Sequence, residues 1–137
     1  MLKPLNVNPQ KMIRFYVGTG GVAKGQLCMI DSDTAIDATE GQTTAILIGV
    51  AFDNYDAGKV GQFYPLDDTE FEIPIYQGST IDEATDEMIG TGFDLYVDNG
   101  DHKLDLNDED GEMFALMGYD NDRQVGYVRV RKALIYC

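Results

Sequence analysis

Apolar and polar residues alternate with a period of two along much of this chain. In EFEIPIY, residues 70–76, Phe71, Ile73 and Ile75 share one side while Glu70, Glu72, Pro74 and Tyr76 share the other. A strand half-buried against a core has this signature. The closing run VGYVRVRKALIYC sets Val128, Val130, Leu134 and Tyr136 on one face, broken at Lys132, with Arg129 and Arg131 on the other. Runs rich in β-branched and aromatic residues predict further strands over 12–17, 26–30, 45–52, 59–66, 93–98 and 113–119, with 70–76 and 124–136 completing the series. Gly, Asp, Asn and Thr clusters separate them. Pro74 cannot donate to a ladder and predicts an edge or a bulge at that point.

Helical period is scarce. STIDEATDEMIG, residues 79–90, offers Thr80 as a cap, Glu83 to close a capping box and Gly90 as a stop. A loop of that length is an equal reading, because isolated helices so short are marginal. The first eleven residues carry Pro4 and Pro9 with Asn6 and Asn8 and show no period, so they predict an extended arm lying along a surface. Many turn-punctuated strands and little helix predict an all-β fold. The expected architecture is one sandwich or barrel-like domain over 12–137, with an extended N-terminal arm over 1–11 and at most one short helix.

Charge alters the functional expectations more than the fold. The 137 residues include 24 acids and 10 bases, a formal net charge of −14, and residues 60–122 hold 18 of the acids against the single base Lys103. Phosphate neutralisation by Lys and Arg supplies most nucleic-acid affinity, so no DNA or RNA partner is expected. No apolar stretch reaches the roughly 20 residues of a membrane helix, and the N-terminus lacks the apolar core of a signal peptide. Cys28 and Cys137 form no metal or disulfide pattern and read as thiols of a reducing cytoplasm.

Candidate chemistry thins out on inspection. GTGGVAKGQ, residues 18–26, has glycines like a phosphate loop, but the required Lys-Ser/Thr is missing and a strand follows where a helix should. LDLNDEDGE, residues 104–112, fits no calcium loop: with Asp105 as first ligand, Asp110 occupies the obligatory glycine position. His102, the one histidine, stands between Asp101 and Lys103 and reads as a solvated turn residue without a nucleophile nearby. The turn DNYDAG, residues 53–58, reads as a chain reversal and not a ligand site. No catalytic residue, metal ligand or cofactor is expected, and the chain is not expected to be an enzyme.

Four segments resemble the head decoration (cement) proteins of tailed bacteriophages. They are VAKGQLCMID (22–31), TAILIGVAFDNYDAGKVGQFYPL (44–66), TGFDLYVDNGDHKLDL (91–106) and QVGYVRVRKAL (124–134). The chain departs from that pattern in its acidity and in the insertions TIDEATDEMIG and NDEDGE. The resemblance implies a small β-domain made in the host cytoplasm that adds to the outer surface of the virion. Its partners would be the major capsid protein and copies of itself, a trimer being favoured over a dimer. Another virion or tail-associated β-protein and a small-ligand-binding β-domain are the alternative readings. Within this frame the apolar residues of the arm, Leu2, Pro4, Leu5, Val7 and Pro9, are the expected capsid contacts. Arg123, Arg129 and Arg131 are the expected subunit contacts, meeting carboxylates of a neighbour's 60–122 region. The alternative for these arginines is that they cover the solvent face of the last strand.

Overall fold

The computed structural model describes residues 1–6, 11–38, 46–108 and 113–135. Among them, eleven strands form two antiparallel sheets. The strands are β1 (Lys3–Pro4), β2 (Ile13–Tyr16), β3 (Leu27–Asp31), β4 (Thr34–Asp37), β5 (Leu47–Ala51), β6 (Val60–Tyr64), β7 (Phe71–Pro74), β8 (Gly92–Asp98), β9 (Asp101–Asp105), β10 (Phe114–Asp120) and β11 (Val125–Val130). The larger sheet runs β1-β7-β11-β10-β8-β9, and the smaller runs β2-β6-β5-β3-β4. The all-β expectation holds.

Both sheets curl. In the larger one the far strand β9 returns to β7 through a bridge between Ile75 and Leu104, and in the smaller one Val17, just past β2, bridges Ala35 in β4. Curling lets a small sheet enclose its own side chains and leaves fewer open edges. One apolar cluster collects Phe71, Ile73, Phe93, Leu104, Phe114, Leu116 and Val128 of the larger sheet together with Leu27, Leu47 and Val50 of the smaller. A second, Val17, Val22, Cys28, Ala35, Ile48, Ala51 and Phe63, lies within the smaller sheet. Strand β5 separates the two clusters, which is why LIGVA is buried at every residue and shows no alternation. Gly49 is required there, since a Cβ would stand 2.5 Å from the Tyr64 carbonyl oxygen and 2.8 Å from the Phe63 Cβ.

Pro74 stands where a donor has no use. Alternate residues of β7 address opposite neighbours: the Glu70 carbonyl accepts from Leu5 N–H, Ile75 N–H donates to Gln124, and Tyr76 N–H donates to Leu104. The position of Pro74 faces the same side as Glu70 and Tyr76, between the last β1 pair at Glu72 and the Leu104 bond.

The N-terminal segment differs from the expected arm. Leu2 is 1% exposed and belongs to the main core, while Lys3 and Pro4 pair with Glu72 and Phe71 as the edge strand of the larger sheet. The prolines do keep the segment extended, but the apolar side chain at position 2 faces inward and its N–H donates to the Gly25 carbonyl. Leu2 is therefore unavailable to a partner, and Pro4 is half-buried. Of the two readings of 79–90 the loop holds, and two further elements depart from the reading of the sequence. Residues 79–90 form only a 3-10 turn at Asp86–Met88, flanked by Thr85 with no side-chain cap. The last strand stops at Val130, and a 3-10 turn at Lys132–Leu134 carries Leu134 into the core by another route. The second is the histidine.

His102 is 1% exposed and lies within β9, not in a solvated turn. Its Nδ1 accepts the Leu27 N–H at 2.9 Å, and its Nε2 stands 3.1 Å from the Ala38 carbonyl oxygen. Leu27 N–H can only donate and the carbonyl can only accept, so the ring is neutral with its proton on Nε2. Burial lowers its pKa to about 4. The Gln26 side-chain amide adds a bond to the Gly100 carbonyl beside it. A histidine of the larger sheet thereby satisfies two backbone groups of the smaller one.

Two outcomes follow for stability. Leu2→Ala should cost about 2–5 kcal/mol in chemical denaturation, the range for truncating a buried leucine. Since the folded-state pKa of His102 lies below the ordinary 6.5, its contribution is complete above pH 6.5 and is lost as pH falls through about 4. The loss over that window is about 3 kcal/mol. Denaturation at pH 7 and pH 4 should show this extra slope in the wild type and lack it in His102→Gln. Equal slopes in both proteins would contradict it.

Candidate interaction surface

Three exposed features combine apolar side chains with a charge bias. The first is the outer face of β2 and β6. Ile13, Phe15 and Val17 turn inward, which sends Arg14 and Tyr16 outward, opposite Gln62 and Val60. Tyr16 is 60% exposed and Val60 52%, though they are cross-strand partners of the kind that usually supports a buried face. Neither KMIRFYV (11–17) nor KVGQFYPL (59–66) contains an acid, whereas each carries base: Lys11 and Arg14 in one, Lys59 in the other. In a chain at −14, this face has the opposite bias.

The second feature is a shallow groove of about 230 Å³ where β1 lies against the smaller sheet, lined by Met1, Pro4, Phe52 and Tyr64, with Lys3 and Lys24 at its margin. Phe52 meets Tyr64 edge-to-face at 5.6 Å between ring centroids. Leu5, which follows β1, is 51% exposed.

The third is an acidic ridge beside β10. Strands β10 and β11 slip register between Leu116 and Gly118, leaving Met117 as the extra residue of a bulge and 43% exposed. Bulges re-aim a side chain in this way. Gly90 N–H donates to the Leu116 carbonyl and Leu116 N–H to Thr91, which brings Ile89, also exposed, alongside the bulge. Tyr119 Oη donates to Asp86 Oδ1 at 2.6 Å, fixing the Asp86–Met88 turn over the same strand, and that bond raises the phenol's pKa. Asp82, Glu83, Asp86 and Glu87 are all exposed on this segment. Arg129 lies opposite Ala115 as the facing base.

The predicted contact residues are dispersed across these features. Among the arm residues, Leu2 is core, Pro4 lines the groove, Leu5 follows it and is exposed, and Val7 and Pro9 lie outside the described residues. Arg123 does meet a carboxylate of the 60–122 region, but within its own chain: Nη1 is 2.7 Å from Glu72 Oε1. That hydrogen bond raises the guanidinium's already high pKa and occupies the group expected to reach a neighbour. Arg129 and Arg131 are exposed at the end of β11. Sequence reading missed the β2–β6 face and the ridge, although the absence of acids from two neighbouring strands was a usable signal for the first.

The glycine turn at 53–58 reverses the chain with Gly58 at φ +83°, and it borders a cleft of about 380 Å³ shared with Gly20, Gly21 and Asp37. Burial raises the Asp37 carboxyl pKa, and its Oδ1 is enclosed without a hydrogen-bond partner. A strand, not a helix, follows the 18–26 loop. Cys28 is a buried free thiol whose pKa burial pushes up, so it is a poor nucleophile. Among the described residues no three His, Cys, Asp or Glu side chains converge on a metal-binding arrangement, and no helix is long and apolar enough to cross a membrane. Residues 109–112 of the acidic turn lie outside the described residues.

Arg123→Ala should leave the nearly buried Glu72 carboxylate unpaired and lower the denaturation midpoint. Sedimentation of the variant should match the wild type at every concentration. A changed oligomer with an unchanged midpoint would return Arg123 to a subunit contact.

No family model, curated protein or solved structure matches this chain, which leaves the faces described above as the ground for a functional reading.

Proposed function

We propose that this chain is a structural virion protein, a decoration or cement protein that binds the outside of an assembled phage capsid and stabilises it. The observation that carries the reading is the clustering of exposed apolar residues, at Met1, Leu5 and Phe52 just outside the ends of β1 and β5 and at Tyr16 and Val60 on the β2–β6 face. Clustered apolar exposure of this kind marks surfaces that meet another macromolecule. Tyr16 and Val60 lie in strands and hold their geometry before binding, which reduces the ordering entropy lost on association.

In this reading the groove meets the major capsid protein through Pro4 and Leu5, with Met1 and Phe52 beside them. Lys3 and Lys24 supply local positive charge there, in a chain otherwise acidic. The acidic remainder faces solvent, where like charge keeps crowded particles apart. Copies of the chain form a homo-oligomer, and Arg129 and Arg131 are its candidate basic contacts beside the last strand.

The test is addition of purified protein to capsids that lack it, followed by sedimentation of the particles and quantification of bound chain. Saturable addition at a fixed ratio to capsid subunits is expected, together with a raised disruption temperature of the particle. Leu5→Asp combined with Phe52→Asp should reduce addition at least tenfold, about 1.4 kcal/mol, while circular dichroism stays that of the folded protein. Failure of the wild-type protein to bind its capsid at any concentration would overturn the reading.

A further inference from the structure

We propose that the outer face of β2 and β6 receives a second copy of this chain, which docks there through the acidic ridge around its Met117 bulge. The contact rests on the homo-oligomer in the reading above and assigns its surfaces apart from Arg129 and Arg131, and it is measured without capsids so that either can fail alone.

The two surfaces are complementary in kind. The receiving face offers Tyr16 and Val60, with Arg14 in β2 and Lys59 in the turn just before β6, and without an acid in either strand. The ridge offers Met117 and Ile89, flanked by Asp86 and Glu87 in the 3-10 turn and by Asp82 and Glu83 before it. Each patch has exposed apolar side chains for the centre of a contact and charges of one predominant sign for its rim, the ordinary anatomy of an interface. Opposing charges nearby include Asp53 and Asp56 in the turn ahead of Lys59 and Arg129 across from Ala115 on the ridge.

Like faces cannot pair. Two β2–β6 faces brought together would set Arg14 against basic residues, and two ridges would set four carboxylates against four. Only the unlike pairing joins opposite signs, so the contact is head-to-tail, the type that closes into rings or extends into filaments. The ridge is also held ready for contact. Its turn is tied to β10 by the Tyr119–Asp86 bond and by the Gly90 and Leu116 backbone bonds, so docking orders little that is not already fixed.

Sedimentation velocity at low ionic strength tests the pairing with the full chain. The wild type should associate as concentration rises and dissociate as salt screens the rim. Arg14→Glu with Lys59→Glu, and separately Glu83→Lys with Glu87→Lys, should each weaken association at least about tenfold. An equal mixture of the two variants should associate again, because each supplies the sign the other has lost. Tyr16→Ser, which changes no charge, should weaken association as well, and thermal melts of all variants should match the wild type. A wild type that stays monomeric, variants that associate as it does, or a mixture no stronger than its separate components would each overturn the contact.

Discussion

Two curled sheets of this size could each enclose a few side chains, but neither has enough apolar interior to stand well by itself. They are joined by a shared cluster and, at its polar margin, by the imidazole of His102. One ring nitrogen takes the Leu27 N–H at the start of β3 and the other gives its proton to the Ala38 carbonyl just after β4. These are backbone groups that would otherwise be buried without partners where the sheets meet. The ring sets their separation and orientation, because both nitrogens lie in one plane and only one tautomer serves. Apolar packing supplies most of the stability, and the histidine supplies the register between sheets.

The same junction holds the N-terminus. Leu2 donates its N–H to the Gly25 carbonyl and places its side chain in the shared core, one residue before β1 adds to the edge of β7. The segment is therefore structural up to Pro4, and Leu5 is the first of its predicted contacts to be well exposed. An N-terminal segment that is both core at one residue and surface at another three positions later is what an edge strand produces, since its side chains alternate between faces and its own outer edge is open.

Period-two alternation made β7 and β11 legible from sequence, because most of their inward positions are large and apolar, while β6 and β10 were legible from aromatic and aliphatic content. Strand β9 has the same period, with His102 and Leu104 inward and Asp101, Lys103 and Asp105 outward, yet it read as a turn because a histidine between charges looks solvated. What makes its burial tolerable is a pair of backbone partners 75 and 64 residues away, which no local pattern can reveal. The two-residue β1 is too short to carry a period, and β4 offers Ala35 as its one fully buried side chain. Final alternation through Leu134 misled in the opposite direction: Leu134 is buried, but a 3-10 turn carries it inward after the strand has ended. The surface was less legible still. Met117 is exposed by a one-residue slip between β10 and β11, and Arg123 is occupied by Glu72 across strands distant in sequence.

A chain carrying −14 gives the impression of a particle that repels its own copies, but the charge is divided by sheet. Residues 1–59, which build most of the smaller sheet, hold 6 acids and 5 bases, whereas residues 60–122 hold 18 acids and Lys103 alone. Screening at physiological salt confines each charge to about 8 Å, well short of the distance across a domain of this size. An approaching copy therefore responds to the face it meets and hardly at all to the net charge. Approach through two acidic sheets is opposed, approach of an acidic sheet to the acid-free strands is not, and the net charge still separates whole assemblies at lower ionic strength. The distribution of carboxylates along the chain, beyond the few that bond within the fold, thus bears on which faces can touch.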